Sequence, residues 1–318
     1  MLIFALDRDG QAFAQAVAAD LDRALAPHEE RRFEDGERKL RPLVDPRGED
    51  VYVVHGLHGG PRDSPHDKLV DLLMFTAALR DHGARRITAV VPYLAYARKD
   101  RQTQPYDPVG QRTVARLLEA VGTDQLVALE VHNPAAFQNA FRIPTLLLEA
   151  RHALEAAVLP LLGDGPLAVA SPDPGGIKRA QLWREALETR LRRPVGFGFV
   201  DKRRSGGLLG GGETVAGDVA GAGVLLFDDL VATGATLQKA ARALRAAGAR
   251  RIVAAAAHGL FVGEAGAVLA DGSLDHVVVT DSVPAFRLGG VDRVPLHIVA
   301  CAPLFAQALR DSHASWTR

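Results

Sequence analysis

The stretch from Val224 to Thr236 carries the residue types needed to hold a phosphorylated sugar. Four apolar residues predict a short buried strand, and the carboxylates Asp228 and Asp229 follow it directly. A tight turn comes next, Thr233-Gly234-Ala235-Thr236, and a helix is predicted over 237–247. Amide hydrogens at a helix N-terminus and nearby hydroxyls can hold a phosphate, while carboxylates accept hydrogen bonds from sugar hydroxyls. An acidic pair after a strand can instead bind a metal or cap the helix, so both alternatives stay open.

A second candidate site follows the apolar stretch at 86–92, which predicts a strand. The loop after it contains two tyrosines and places three cations within four residues, Arg98, Lys99 and Arg101. Open α/β sheets bind ligands at the carboxyl ends of their strands, and cations beside aromatic rings suit a polyphosphate with a stacking base. The loop therefore predicts a site for a polyphosphate, with a solvated surface loop as the alternative.

A glycine-rich segment in the second half predicts a lid. The cations Lys202, Arg203 and Arg204 lead into residues 206–212, of which five are glycine. Such a segment does not hold a fixed shape unaided, so it is expected to move. A mobile loop that begins with three cations can close on an anion and bring charge to a transition state. A linker with a basic flank is the alternative.

Two further polar residues follow predicted strands. The stretch Leu126–Asn133 predicts a strand that ends in polar residues, and His132 lies just beyond the strand end. A histidine in this position is more often a structural hydrogen-bonding residue than a ligand. Asp173 follows the strand predicted over 167–170, in a turn that contains Gly175 and Gly176. These two glycines let backbone approach a ligand closely.

Short apolar strands alternate with helices along the first half of the chain. Strands are predicted at 1–6, 50–55 and 86–92, and helices at 11–25 and 69–81. This alternation indicates a parallel sheet flanked by helices.

The chain also contains an internal repeat. Gly83-Ala84-Arg85-Arg86-Ile87-Thr88-Ala89 returns as Gly248-Ala249-Arg250-Arg251-Ile252-Val253-Ala254, each between a predicted helix and a predicted strand. The matching context favours duplication of one α/β domain, although seven positions could coincide by chance. Only the second copy keeps the acidic pair and the phosphate turn. The expected domains are 1–148 and 149–318, with a last helix that can pack back on the first.

Composition excludes several classes of protein. The 318 residues contain 38 basic and 38 acidic side chains, so no global charge favours nucleic acid or an anionic membrane as partner. No apolar run approaches the roughly 18 residues of a membrane span. The single cysteine, Cys301, excludes an internal disulfide, fits a reducing compartment and is expected to be a buried core residue. The protein is therefore expected to be cytoplasmic.

In this order the motifs resemble those of the ribose-phosphate diphosphokinases, which make phosphoribosyl diphosphate. The resemblance runs from about Phe33 to Pro284. It is carried by Phe33-Glu34-Asp35-Gly36-Glu37, Pro92-Tyr93, Tyr96-Ala97-Arg98, His132, Ser171-Pro172-Asp173, Asp201 to Gly206, Val224 to Thr236 and Val277 to Pro284. The nucleobase phosphoribosyltransferases share the phosphate turn but have one such domain and no counterpart to the first half. The resemblance implies two tandem type I phosphoribosyltransferase-like domains, each a mainly parallel sheet flanked by helices.

The resemblance also implies substrates and residue roles. ATP would bind Phe33, Asp35, Glu37, Arg98, Lys99, Asp100 and Tyr106, and ribose 5-phosphate would bind Asp228, Asp229, Thr233, Gly234, Ala235 and Thr236. His132 and Asp173 would hold Mg²⁺ on the triphosphate, and Lys202 and Arg204 would stabilise the transferring group. The Phe33 turn would complete a neighbour's site, which implies a homo-oligomer, a dimer at least and up to a hexamer. No nucleic acid or membrane partner is expected.

Several positions depart from the family pattern. Lys99 stands where a glutamine is usual, Val131 and Asn133 change the neighbours of the retained histidine, and Ala232 replaces an aspartate in the phosphate turn. Thr103 and Tyr106 stand where the family often has a further basic or acidic residue, and Tyr106 would stack on adenine instead. These changes predict a divergent branch, altered in nucleotide preference and regulation by phosphate or ADP more than in reaction. A non-catalytic regulatory or scaffolding paralogue is the alternative, and the retained acidic pair and lid cations weigh against it.

Overall fold

The computed structural model describes residues 1–6, 8–201, 213–288 and 295–316. The chain divides into two compact units. The first comprises Met1–Glu149 with Ser282–Pro284 and Cys301–Arg318, and the second comprises Ala150–Asp281 with Ala285–Ala300. No helix in the described part of the chain is long and apolar enough to cross a membrane.

The regular elements alternate between strands and helices along most of the chain. The strands are β1 (Leu2–Ala5), β2 (His28–Arg32), β3 (Arg38–Pro42), β4 (Asp50–Val54), β5 (Arg86–Val91), β6 (Gln125–Leu129), β7 (Thr145–Leu148), β8 (Leu167–Ser171), β9 (Gly196–Asp201), β10 (Thr214–Gly217), β11 (Gly223–Val231), β12 (Arg251–Gly259), β13 (His276–Thr280) and β14 (Leu296–Val299). The helices are α1 (Gln11–Asp20), α2 (Pro65–Asp81), α3 (Gly110–Ala120), α4 (Pro134–Ala140), α5 (Arg151–Leu162), α6 (Ile177–Leu191), α7 (Ala235–Ala246), α8 (Ala265–Leu269) and α9 (Ala302–Trp316).

The first unit is built on a five-stranded parallel sheet with the order β1-β4-β5-β6-β7. Its central strands are buried on both faces, as β-branched and apolar runs require in a sheet covered by helices. Strands β2 and β3 form a separate antiparallel hairpin. The last helix, α9, packs on this unit through the edge-to-face rings of Phe13 and Phe305. Cys301 lies buried just before α9, as expected.

The second unit is built on a seven-stranded sheet with the order β10-β9-β8-β11-β12-β13-β14. Only the pairing of β10 with β9 is antiparallel among these described strands, and the remaining neighbours are parallel. Strand β11 lies between β8 and β12 in this sheet. The predicted architecture of mainly parallel sheets flanked by helices is confirmed in both units.

The predicted repeat forms the same hydrogen bonds in the two units. In each, a carboxylate accepts from the backbone N–H at the isoleucine of the repeat, at 2.7 Å in the first copy and 2.6 Å in the second. An arginine on the preceding helix binds the same carboxylate. The residues are Arg80, Ile87 and Asp124 in the first unit, and Arg245, Ile252 and Asp275 in the second. This shared arrangement supports a duplication.

Two predicted helices have different limits in the structure. Helix α1 ends at Asp20 rather than near residue 25, because Asp22 takes a left-handed backbone conformation with φ of 54°. Helix α2 begins at Pro65 rather than at residue 69. The side chains of Ser64 and Asp67 form a capping box there, and a proline is favoured at the first helical position.

Candidate active site

The acidic pair lies inside strand β11 rather than beyond its end. The sequence predicts a strand that ends at Phe227, but Leu230 and Val231 continue the parallel pairing with β12. Phe227 anchors this part of the strand, since its ring packs edge-to-face on Trp183 with 4.4 Å between centroids. The two carboxylates therefore lie on a central strand near its carboxyl end, where open α/β sheets bind ligands.

Burial and mutual repulsion dominate the electrostatics of the acidic pair. Burial first, and the neighbouring Asp229 second, raise the pKa of Asp228 well above its ordinary value. The Nη1 atom of Arg179, on α6, lies 3.9 Å from Oδ1 of Asp228 and 3.7 Å from Oδ1 of Asp229. One guanidinium faces two carboxylates, so hydrogen-bond donors such as sugar hydroxyls are favoured partners for this pair. Sequence reasoning missed this role of Arg179, because nothing in its position beyond the two glycines indicates that it faces β11.

The phosphate turn requires glycine at residue 234. Gly234 has φ of +77° and is the N-cap residue of α7. A β-carbon at this position would lie 2.9 Å from Cδ2 of Leu269. The backbone N–H of Ala235 approaches the Thr233 hydroxyl at 3.5 Å, and among the described residues no side chain caps α7. Helix α7 therefore begins, a few residues after the acidic pair along the chain, with a positive N-terminus that no described side chain caps.

The corresponding turn of the first unit is closed by its own side chains. Val54 pairs with Val90 in the register that Phe227 and Ala255 take in the second unit, so His55 occupies the place of Asp228. At the start of α2, the Ser64 hydroxyl accepts from the Asp67 N–H, and the Asp67 carboxylate accepts from the Ser64 N–H at 2.8 Å. This copy thus lacks the acidic pair, and the side chains of its own Ser64 and Asp67 cap the N-terminus of the helix.

Asp173 is held in a defined turn after β8. Its Oδ1 accepts from the N–H groups of Gly175 at 2.9 Å and Gly176 at 3.2 Å. The Ser171 hydroxyl donates to the Asp173 carbonyl at 2.6 Å. A β-carbon at Gly176 would lie 2.6 Å from the Ser171 oxygen, so glycine is required for this close approach. The carboxylate is therefore oriented by backbone amides and keeps acceptor capacity on its other oxygen.

Substituting Gly234 with alanine tests the phosphate turn. The left-handed backbone and the contact with Leu269 together are expected to cost about 1–3 kcal/mol of stability. Because the same change moves the α7 amides, affinity for the phosphorylated sugar predicted from the sequence is expected to fall as well. Thermal unfolding and calorimetric titration measure the two effects.

Gly272→Ala is the matched control for this substitution. Gly272 also has a positive φ, of +81°, but no described atom lies within 4 Å of the added β-carbon. It is expected to show the backbone cost alone, about 1–2 kcal/mol, with unchanged sugar-phosphate affinity. Equal affinity in Gly234→Ala and wild-type protein would contradict the assignment of the turn.

The Phe33–Glu37 segment forms the turn of the β2–β3 hairpin in the first unit. The Phe33 N–H donates to the Glu37 carbonyl at 2.8 Å, and the Asp35 carboxylate accepts from the Glu37 N–H at 3.1 Å. The guanidinium of Arg31 lies over the Phe33 ring, 4.9 Å from its centroid. Asp35 and Glu37 are exposed and Phe33 is half-buried, so the turn presents an aromatic ring and two carboxylates at the surface.

The cations predicted in the loop after β5 differ in their exposure and in their partners. Arg98 is exposed, whereas the Lys99 ammonium is bound to Asp107 and lies 3.1 Å from the Thr103 hydroxyl. The Lys99 and Thr103 contacts lower the pKa of Asp107. Tyr106 is almost fully exposed. The loop therefore presents Arg98 and Tyr106 to solvent while Lys99 is engaged within it.

A side-chain hydrogen bond joins this loop to the segment that carries His132. The Asn133 amide donates to the Asp100 carboxylate at 2.7 Å, and the Asn133 carbonyl oxygen also caps α4 by accepting from the Ala136 N–H. His132, the preceding residue, is exposed. The structure thus brings Asp100 and the His132 segment together at the carboxyl ends of neighbouring strands.

The remaining predicted residues divide between the units and the undescribed part of the chain. Asp173, the acidic pair and the Thr233–Thr236 turn lie in the second unit, while His132 and the predicted ATP-binding residues lie in the first. Lys202 and Arg204, with the glycine-rich lid, lie outside the described residues. Within the described ranges, no three or more His, Cys, Asp or Glu side chains form a group that could hold a metal ion.

Family models match both halves of the chain. One, described as the N-terminal domain of ribose phosphate pyrophosphokinase, matches residues 1–122. Another, described as the phosphoribosyl synthetase-associated domain, matches residues 212–315. The two matches follow one another along the chain and together include the acidic pair and the predicted nucleotide loop.

Similar proteins match over nearly the whole length. The ribose-phosphate pyrophosphokinase of Brucella melitensis is 36% identical over 315 residues, which cover 99% of this chain and 97% of that protein. The ribose-phosphate pyrophosphokinase of Mycoplasma pneumoniae is 34% identical over 290 residues, covering 90% and 84%. The crystal structure of phosphoribosylpyrophosphate synthetase from Mycobacterium smegmatis superposes with a TM-score of 0.87 at 31% identity, covering 99% of both chains. The chain therefore belongs to the ribose-phosphate pyrophosphokinase family.

Proposed function

We propose that this protein is a ribose-phosphate diphosphokinase. It transfers the β,γ-diphosphoryl group of ATP to the 1-hydroxyl of ribose 5-phosphate and yields phosphoribosyl diphosphate and AMP. The observation that carries the proposal is the contrast between the two copies of the repeated domain. The second keeps the acidic pair and an α7 N-terminus that no described side chain caps, whereas Ser64 and Asp67 close the first.

Ribose 5-phosphate is assigned to the second unit. Asp228 and Asp229 accept hydrogen bonds from the ribose hydroxyls, and Arg179 limits the net charge of the pair. The turn from Thr233 to Thr236 holds the 5-phosphate through its amides and hydroxyls. The sugar is then bound at both ends, so its anomeric hydroxyl is presented in a fixed orientation.

ATP is assigned to residues of the first unit. The Phe33 ring, with Asp35 and Glu37, recognises the adenine of ATP bound to a neighbouring copy, and the exposed Tyr106 supplies a further stacking surface. Arg98 binds the phosphates. Lys99 and Asp100 act within the same loop, where Lys99 pairs with Asp107 and Asp100 accepts from Asn133. These two residues therefore position the loop as well as adding charge to it.

The reaction is a displacement at the β-phosphorus of ATP. The anomeric oxygen of ribose 5-phosphate forms a bond to that phosphorus, the bond to the α,β-bridging oxygen breaks, and AMP leaves with the bond electrons. The proton of the anomeric hydroxyl is released to solvent water in this step. Such transfers need little covalent help from the protein, so orientation and positive charge supply most of the catalysis. Lys202 and Arg204 are assigned to stabilise the transferring group.

Magnesium is assigned to the triphosphate, with His132 and Asp173 as the protein ligands. When bound, it would neutralise charge on the phosphate oxygens. Magnesium is commonly held by one or two carboxylates together with substrate phosphates. Asp173 fits this pattern because backbone amides orient one oxygen and the other keeps acceptor capacity. A group of three protein ligands is not required for such a site.

Release of AMP tests the proposed reaction. Protein mixed with MgATP and ribose 5-phosphate is expected to form AMP and phosphoribosyl diphosphate in equal amounts, and the mixture without sugar gives the background. A panel of other pentose phosphates measures the choice of sugar. If AMP stays at the background with every sugar phosphate, the chain is not a diphosphokinase, and a regulatory or scaffolding role takes its place.

The Phe33 turn also bears on assembly. The proposed role in a neighbour's nucleotide site requires a homo-oligomer of two or more copies. The mass of the active species, measured by light scattering during size-exclusion chromatography, tests this requirement. An active monomer would contradict the assignment of Phe33 to a neighbouring site.

A further inference from the structure

A buried guanidinium lies directly after the hairpin turn. Arg38 is the first residue of β3, and its side chain is only 10% exposed. It donates to Asp71 of α2 at 2.6 Å and to Asp63 of the loop before α2, and it lies 4.0 Å from Glu30 of β2. A cation of this kind stays buried only when it is paired, so the three carboxylates explain its placement.

We propose that Arg38 is a positioning residue for nucleotide binding, which fixes the Phe33–Glu37 turn to the body of the first unit through Asp63 and Asp71. This inference rests on the proposed role of the turn in binding ATP. Arg38 itself has no assigned contact with substrate.

The hairpin register makes Arg38 well placed for this role. Arg38 pairs with Arg32, so these two residues close the strands at the base of the turn. Within the turn, Phe33 bonds back to Glu37, and Arg38 is the next residue. A displacement of Arg38 is therefore transmitted directly to the residues proposed to contact adenine.

Arg38 and Leu40 hold the hairpin from one face. Side chains alternate along a strand, and both of these residues are at least nine-tenths buried. Arg41 instead pairs with Glu29 of β2, inside the hairpin, and its side chain is 59% exposed. The Arg41 pair thus joins the two strands to each other, and among the described residues Arg41 forms no hydrogen bond or ion pair with α2. This difference makes Arg41 a matched control.

The partners of Arg38 lie at the capped start of α2 and in its second turn. The capping box of Ser64 and Asp67 fixes the start of α2, between Asp63 and Asp71. Asp71 is itself buried, with its side chain 9% exposed. Two points of attachment, one before the helix and one inside it, restrict rotation of the guanidinium as well as its position.

The charges around Arg38 make Asp71 sensitive to pH. Burial, opposed by Arg38 and assisted by Glu30 and Asp63, raises the pKa of Asp71 to about 6. The charged groups that face Asp71 are thus Arg38 of β3, Glu30 of β2 and Asp63 of the preceding loop. Below pH 6 the protonated carboxyl binds Arg38 more weakly, so the affinity for ATP is expected to fall there.

The test compares Arg38→Gln, Arg38→Lys and the control Arg41→Gln by steady-state kinetics and by calorimetric titration with ATP. Arg38→Gln is expected to raise KM and Kd for ATP about tenfold, while kcat and the KM for ribose 5-phosphate change by less than about twofold. Arg38→Lys is expected to recover part of the affinity for ATP, because lysine keeps the positive charge but lacks the planar set of N–H donors of the guanidinium. Arg41→Gln is expected to match wild type.

Asp71→Asn provides a second variant in case Arg38→Gln does not fold, with circular dichroism and thermal unfolding as the check. It is expected to raise KM for ATP at pH 7.5 and to remove the fall in ATP affinity between about pH 7 and pH 5.5. Unchanged ATP affinity in the folded Arg38 variants or in Asp71→Asn overturns the positioning role, as does an equal loss for both substrates.

The two proposals fail in different ways. If wild type binds ATP but releases no AMP, the proposed reaction fails, and the ATP titrations of the variants still decide the role of Arg38. If wild type binds no ATP at all, the positioning role is overturned as well. If AMP forms normally in wild type and all variants bind ATP equally, only the positioning role is wrong.

Discussion

Replacing Asp228 and Asp229 together with asparagine is expected to weaken ribose 5-phosphate binding about 1000-fold. A hydrogen bond to a charged group contributes about 1.5–3 kcal/mol, and the double variant removes both charged acceptors for the ribose hydroxyls. Asparagine keeps the size of the side chain and one oxygen, so the shape of the site is retained. Calorimetric titration of ribose 5-phosphate measures the loss directly.

The stability of the folded protein, in contrast to its sugar affinity, is not expected to fall when Asp228 is replaced with asparagine. The pKa of Asp228 is raised by burial and by Asp229, so the folded state disfavours its charge. This group therefore contributes stability that is present below its unfolded pKa and is lost as pH rises through its folded pKa. At neutral pH an uncharged asparagine side chain in its place avoids that cost, so Asp228→Asn is expected to unfold at the wild-type temperature or above it.

Two controls separate ribose recognition from other roles of the pair. Asp271→Asn removes a carboxylate of the same unit that pairs with the exposed Arg242, and its sugar affinity is expected to equal that of wild type. Titration without magnesium tests whether the pair binds a metal instead. A double variant that is folded and binds ribose 5-phosphate as wild type does would show that the acidic pair does not recognise ribose.

Replacing Lys202 with alanine is expected to lower kcat about 1000-fold while ribose 5-phosphate still binds. A cation that meets charge developing on a transferring phosphoryl group is worth about 10²–10⁵ in rate, because its contribution grows in the transition state. This prediction rests on the position of Lys202 at the start of the glycine-rich segment. Stopped-time assays of AMP give kcat, and calorimetric titration gives the affinity for each substrate.

Lys239→Ala is the control for the lid prediction. Lys239 is an exposed lysine on α7, and its replacement removes one positive charge from the chain while the sequence of the glycine-rich segment stays unchanged. Its kcat is expected to equal that of wild type. Unchanged turnover in Lys202→Ala would show that the lid assignment is wrong. A loss of sugar affinity with unchanged kcat would instead assign Lys202 to ground-state binding.

Much of the fold follows from local patterns in the sequence. Apolar strands alternate with helices, and both copies of the repeat carry a glycine at the end of a helix and a strand after it. These patterns depend only on residues that are close along the chain, so they can be recognised without knowledge of the tertiary structure. The ends of helices were predicted less accurately than their presence. The end of α1, for example, depends on the left-handed backbone conformation of Asp22, which the hydrophobic periodicity does not indicate.

The candidate site was predictable only where its residues are consecutive. The acidic pair and the glycine turn fall within one short stretch, so their chemistry could be inferred from spacing. The extension of β11 through the pair was not predicted, because it depends on pairing of Leu230 and Val231 with a strand over twenty residues away. The pairing of Lys99 with Asp107 was also missed, since nothing in the sequence distinguishes a bound cation from an exposed one.

The sequence by itself determined the family, the repeat and the order of the chemical groups, including the acidic pair that leads into the turn before α7. Only the tertiary structure decided which distant groups face one another. Arg179 reaches the acidic pair from α6, and Arg38 meets Asp71 across 33 positions of sequence. The reason is physical: helix and turn chemistry acts between neighbours, whereas buried charges pair only where packing brings separate elements together.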